Sequence, residues 1–330
     1  MIITKTPFRI SFFGGGTDFP KYYNKHKGCV IGTTINKYCY INLRFLPENF
    51  LHKHRLVWSI NEDVVKNSAI KHPIVKASFK IFNVKKGLEI LHFSDMPGET
   101  GIGSSSSFSV GVLNSLHNLF KKKKIMPKEL SALSNYLEQK IMRESGGSQD
   151  SVWAAYGGFR EIQFSKKKID VKNLKIQKSR LEKLEDNLIL FNTFLSRHSS
   201  KIEETKIKHL ESKIQLYDGL KAYVRECKKI LLSNCSLNDF GYLLNDYWKL
   251  KKNLSPSVAS NYLEEIYGEA MYAGALGGKI LGAGGGGYYM FYCPKNNQKK
   301  LIKRLSKLKP LKVKFSREGS KVIFNNNISE

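Results

Sequence analysis

The chain has 330 residues, an apolar fraction of 41% and a formal net charge of +27. That length buries a sizeable core and is comfortable for two domains. No run approaches the ~18 apolar residues of a membrane span, and five scattered cysteines without a CxxC read as free thiols of a reducing cytoplasm.

The start, MIITKTPFRISFFGGG, has no apolar h-region and no small-residue cleavage site. A cytoplasmic protein with no membrane partner is therefore expected. Lysine carries most of the positive charge. No basic stretch is interleaved with stacking aromatics, so nucleic acid is not expected as a partner. Lysines on solvated faces, or an anionic small substrate, account for the excess.

In chain order, residues 8–13, 30–35, 38–45 and 56–60 read as strands, rich in β-branched and aromatic side chains. GLEILHF (87–93) alternates as a further strand. Val112, Leu113, Leu116, Leu119 and Phe120 then recur at helical spacing. A second helix follows Pro127, with Leu130, Leu133, Leu137 and Ile141 as its stripe, and Gly146-Gly147 breaks the chain. DSVWAAY reads as a short helix, before strands near 159–165 and 169–176. Residues 177–187 read as a charged connector and 188–193 as a buried strand. From 199 to 273 the pattern is nearly all helical. The end reads as strand 279–282, a glycine loop, strand 288–293, helix 297–308 and strands 312–316 and 321–325. The expected organisation is two α+β domains, 1–185 and 186–330.

Four glycine-containing stretches punctuate this order. PGETGIGSSSSFSVG (97–111) lies between a strand and a helix, where unpaired backbone N–H groups and the helix dipole favour an anion. On the P-loop pattern G-x-x-x-x-G-K-[ST], Gly98, Gly103 and Ser105 match, but Ser104 stands where lysine belongs. The alternative is a serine-capped helix after a turn. The second stretch is TPFRISFFGGGTDFP (6–20). Its three glycines imply close ligand approach or a tight turn, with Asp18 suited to a hydroxyl or to capping the next helix, and Arg9 able to face the same cleft. RESGGSQDSVWAAYGG (143–158) places Asp150 at a helix start, as a base for a hydroxyl or as a cap. Glu138, on the preceding helix, is a candidate magnesium ligand together with Ser105. GGKILGAGGGGYYMFYC (277–293) is the fourth stretch, and alone it signals only a tight turn.

Taken in this order, PFRISFFGGGTD, PGETGIGSSSS and GAGGGG resemble the three motifs of the GHMP kinase superfamily over nearly the whole chain. The resemblance implies a two-domain α+β fold. Its N-terminal domain would carry a left-handed β-α-β crossover, its C-terminal domain would be ferredoxin-like, and the active site would lie between them. It implies ATP and Mg2+ as cofactors. ATP contacts fall on Pro97, Gly98, Thr100, Gly101, Gly103, Ser104, Ser105 and Ser106, and metal contacts on Ser105 and Glu138. Asp150 matches the catalytic aspartate and Arg9 its basic partner.

Substrate contacts are expected at Gly15, Gly16, Thr17, Asp18, Gly147, Gly284 and Gly285. Lys37, Arg197 and His198 are candidate cations for a substrate phosphate. Gly15 and Gly16 replace the Glu-His that galactokinases carry there. FFGGGTD, GGSQD and FLSRHSS look most like sugar 1-kinases of the D-glycero-D-manno-heptose 7-phosphate type, with fucokinases a neighbouring branch. The implied product is a 1,7-bisphosphate on the way to a nucleotide-activated (GDP-) heptose. A homodimer is compatible with this reading. The alternatives are a kinase of another sugar such as L-fucose, or a nucleic-acid-binding protein on an inactive kinase fold.

Overall fold

The computed structural model describes residues 1–195 and 199–326. Its first sheet is built on two long strands, β1 (Ile2–Phe13) and β2 (Gly28–Phe45), followed by β3 (His54–Val57), β4 (Asn61–Val64), β5 (Leu88–Ser94), β6 (Arg160–Phe164) and β7 (Ile169–Asn173). The 18-residue β2 was expected as two strands. It runs unbroken because residues from the far end of the chain bridge its middle. Asn36 exchanges hydrogen bonds with the backbone of Lys314 at 2.8 Å in both directions.

Helices α1 (Pro20–His26), α2 (Pro73–Ile81), α3 (Ser104–Lys121), α4 (Pro127–Tyr136) and α5 (Gln149–Tyr156) accompany this sheet. α2 lies in the connection between β3 and β5, which pair in parallel with Arg55 opposite Glu89. α4 passes into one π-helical turn, Leu137–Ile141, and so presents Glu138 from a widened turn.

Residues 177–187, expected as a connector, form α6 (Lys178–Asn187). Leu181 and Leu184, three residues apart, are its contacts with the core, and charged residues surround them. That stripe is too sparse to stand out in the sequence. β8 (Leu188–Asn192) then opens the second sheet. Four helices follow: α7 (Ser199–Lys208), α8 (Ile214–Leu232), α9 (Asn238–Lys252) and α10 (Asn261–Tyr272). β9 (Gly277–Ile280), β10 (Tyr288–Tyr292), α11 (Gln298–Arg304) and β11 (Lys309–Leu311) complete this part. The strand order β11-β8-β10-β9 is antiparallel throughout. With helices after its first and third strands, it has the ferredoxin-like β-α-β-β-α-β arrangement.

The expected boundary at 185/186 falls within α6, and the far end of the chain returns to the first sheet. β12 (Phe315–Ser316) and β13 (Lys321–Asn325) leave the second sheet and pair with β2 and β1. β13 covers a backbone edge of β1 that would otherwise stand open. One continuous apolar core joins the two parts. At the join, Phe12 and Phe13 of β1 meet Phe240 of α9 edge-on, with ring centroids 5.4 Å apart in each pair. Among the described residues no helix is long and apolar enough to cross a membrane, and the five cysteines are free.

Candidate active site

The phosphate-type loop runs from Asp95 to Gly103, between β5 and α3. Contacts from β1 and β10 hold its backbone. The Arg9 N–H donates to the Ile102 carbonyl at 3.0 Å, the Arg9 guanidinium to the Gly101 carbonyl at 2.6 Å, and the Tyr288 N–H to the Thr100 carbonyl at 3.1 Å. The β1–β2 register shifts between Pro7 and Arg9, which frees the Arg9 N–H from the ladder for its bond to the loop. α3 starts with Gly103 as its N-cap and no side-chain cap. The serine-capped alternative is therefore not what forms. The first helical bond runs from Ser107 N–H to the Gly103 carbonyl, so the N–H groups of Ser104–Ser106 are those a helix start leaves for an anion.

Gly101 has to be glycine. Its φ is +77°, and a Cβ would lie 2.4 Å from the Leu281 carbonyl oxygen. Residues 281–287 of the fourth stretch therefore pack directly on the loop. They line a chamber together with Gly101, Gly103, Ser104, Ser105 and Ser106. Gly284 lines this chamber, and Gly285 donates its N–H to the Val258 carbonyl at 2.8 Å. Pro97 accepts the Thr100 hydroxyl at 2.9 Å, and Gly98 faces open space.

Asp150, the second residue of α5, does not cap its helix, whose N-cap is Ser148. Its carboxylate is held by Arg9 in a bidentate pair, Nε to Oδ1 at 2.7 Å and Nη2 to Oδ2 at 2.5 Å. Such a fork fixes the carboxylate's plane as well as its position. Arg9 and Asp150 line both this chamber and a second one beside it.

The second chamber is lined by Gly15, Gly16, Asp18, Gly147 and Glu138, among others. Asp18 is buried and accepts N–H bonds from Gly16 at 2.8 Å and Gln149 at 3.3 Å. Burial, with nearby Asp150, pushes its carboxyl up to about 6. Gly147 closes over it: a Cβ there would fall 1.8 Å from Asp18 Oδ2. Thr17, expected against substrate, instead ties down its own turn through the carbonyls of Gly14 at 2.8 Å and Cys29 at 3.0 Å. Lys37 lies in the middle of β2 and lines neither chamber, while Arg197 and His198 fall outside the described residues.

Glu138 is buried, and its carboxylate accepts from Ser106 and Ser134 at 3.3 Å and from Ser151 at 3.4 Å. Burial, then Glu144 and Asp150, push it up to about 8. Among the described residues no three His, Cys, Asp or Glu side chains cluster as a metal cage. Glu138 and the serine hydroxyls are nevertheless hard oxygen donors of the kind magnesium takes when it keeps waters and substrate oxygens as its other ligands. Ser105 lines both chambers, but it is Ser106 that touches Glu138.

Residues 66–158 match the family model for the GHMP kinases N terminal domain. A D-glycero-alpha-D-manno-heptose 7-phosphate kinase from Campylobacter jejuni subsp. jejuni serotype O:2 is 30% identical over 334 residues, covering 93% of each chain. The chain belongs to the GHMP kinases. Many solved structures share its fold. A D-glycero-D-manno-heptose 1-phosphate kinase from Bacteriodes thetaiotaomicron matches with a TM-score of 0.81 at 21% identity, covering 99% of this chain and 100% of its own. A putative sugar kinase from Campylobacter jejuni matches with a TM-score of 0.75 at 26% identity, covering 97% of both.

As a GHMP kinase the protein is a phosphotransferase with an alcohol group as acceptor, and it uses ATP. Sequence reasoning missed three buried lysines of this GHMP kinase, Lys206, Lys251 and Lys279, which line the second chamber from the ferredoxin-like side. Nothing in a lysine-rich sequence marks which lysines turn inward.

Proposed function

We propose that this GHMP kinase transfers the γ-phosphoryl group of ATP to the anomeric hydroxyl of D-glycero-alpha-D-manno-heptose 7-phosphate, giving the 1,7-bisphosphate. The observation that carries the reading is the Arg9–Asp150 pair at the boundary of two chambers. One chamber is made of helix-start N–H groups and glycine backbone, suited to phosphates. The other is made of Asp18, Gly15, Gly16 and Gly147, suited to a hydroxylated acceptor. The whole-length likeness to the Campylobacter heptose phosphate kinase supports the sugar.

In this reading Asp150 takes the proton of the acceptor hydroxyl as that oxygen bonds to the γ-phosphorus and the bond to the bridging oxygen of ADP breaks. Arg9 orients Asp150 and draws Gly101 toward the same point. The N–H groups of Ser104–Ser106 hold phosphoryl oxygens as their charge develops. Glu138, with Ser105 and Ser106, would hold Mg2+, which when bound offsets charge on the phosphoryl oxygens. Asp18 and Gly147 seat the sugar hydroxyls.

A substrate panel with ATP and magnesium tests the reading, with the product phosphate located by NMR. Turnover of heptose 7-phosphate at the anomeric position is expected. Turnover of L-fucose, with none of the heptose phosphate, would move the enzyme to the neighbouring branch. Glu138→Gln is expected to raise the magnesium concentration for half-maximal rate at least tenfold, by removing the charged ligand. An unchanged magnesium titration would take Glu138 out of the metal shell.

A further inference from the structure

The acceptor chamber holds three cations that the chemistry above does not use. Lys206 of α7, Lys251 of α9 and Lys279 of β9 are 4%, 3% and 1% exposed. All three line the acceptor chamber and none lines the phosphate chamber. Burying an ammonium is costly unless an opposite charge faces it. Here the hydrogen-bond partners are neutral. Lys279 donates to the carbonyls of Ser11 at 2.8 Å and Phe12 at 2.9 Å. Lys251 donates to those of Gly282 at 3.0 Å and Ile280 at 3.5 Å, and Lys206 to that of Ala283. An ammonium has three N–H groups, so each keeps donor capacity beyond these bonds.

Three of the chamber's carboxylates are engaged elsewhere. Asp150 is held by Arg9, Asp18 by two backbone N–H groups and Glu138 by serine hydroxyls, while Glu144 is exposed. Glu203 lies in the field of Lys206. Among the described residues no carboxylate forms an ion pair with Lys251 or Lys279. Burial, and then the positive charges of Lys279, Lys206 and Arg9, hold the Lys251 ammonium well below the usual lysine range. Asp18 offsets part of this at Lys251, and Glu203 and Asp18 face Lys206, but Lys279 meets only positive charge from Arg9 and Lys206, so an anion in this space would relieve the group.

We infer that Lys206, Lys251 and Lys279 form a receptor for a phosphate ester carried by the acceptor, and so select a phosphorylated sugar over its unphosphorylated form. The inference rests on reading this chamber as the acceptor site. It replaces Lys37 as the source of the substrate's cations. A compact ammonium suits this task, as a point charge that meets a dianion without demanding one orientation.

The test compares kcat/KM for heptose 7-phosphate and for heptose, in the wild type and in Lys251→Gln. Glutamine can still donate to the Gly282 carbonyl but carries no charge. The wild type is expected to prefer the phosphorylated sugar, and the variant to lose roughly 30-fold or more of that preference. The loss should fall in KM for the phosphorylated sugar, with Lys251→Arg restoring part of it. Inorganic phosphate should inhibit the wild type competitively with the acceptor and not with ATP, and Lys279→Gln should weaken that inhibition.

If heptose phosphate is not a substrate but another sugar phosphate is, the heptose reading fails. The receptor then stands if Lys251→Gln removes the preference for that ester. A wild type that uses both forms of the sugar equally overturns the receptor. So does a Lys251→Gln variant whose KM values for ATP and for both sugar forms rise together, because the lysine would then only be bracing the 281–287 loop.

Discussion

Asp150→Asn is expected to lower kcat by about 10³-fold while ATP binding stays within about twofold of wild type. The amide removes the negative charge that would receive the hydroxyl proton. It keeps one oxygen to accept from the Arg9 guanidinium, now bonded twice to Asp150. Arg9 also reaches the Gly101 carbonyl at 2.6 Å, and that contact does not involve Asp150. The phosphate loop should therefore keep its shape and its nucleotide. A single-turnover phosphoryl-transfer measurement, beside a titration with a non-hydrolysable ATP analogue, separates the two effects. A kcat within tenfold of wild type would remove Asp150 from the role of base.

Gly101→Ala is expected to raise KM for ATP more than tenfold and to lower the melting temperature, with no atom of the chemistry altered. Two costs add. Alanine at φ +77° is strained by roughly 1–2 kcal/mol. Its Cβ would also sit 2.4 Å from the Leu281 oxygen and 2.8 Å from the Leu281 carbonyl carbon, both backbone. Overpacking of this kind costs about 1–3 kcal/mol, and neither chain segment can give way without opening the phosphate chamber. Gly98→Ala is the matched control. It lies in the same loop, and its Cβ would meet nothing within 4 Å. Calorimetry on both variants tests the argument, since equal melting temperatures would mean the two loops do not depend on each other's backbone.

What could be read from the sequence divides by the range of the signal. Glycine runs and the residues beside them are local, so 97–111, 6–20 and 143–158 pointed to one site before any fold was known. Asp150, Arg9, Asp18 and Glu138 all arrive there. The long-range features were not readable. Lys206, Lys251 and Lys279 come from three elements and resemble every other lysine until the fold turns them inward. Thr17 sits beside Asp18, and only its bonds to Gly14 and Cys29 show that it braces the turn. The continuity of β2 depended on Lys314, almost 280 residues away from Asn36.

The return of β13 to β1 also bears on how the chain is made. Ile2–Lys5 pair with Asn325–Lys321, so one edge of the first sheet has no partner until residue 325 has left the ribosome. At roughly 5–20 residues per second, that strand edge waits on the order of a quarter of a minute to a minute. The first sheet is therefore completed only after the second has been synthesised. During synthesis it presents an unpaired strand edge, a template on which another strand can pair.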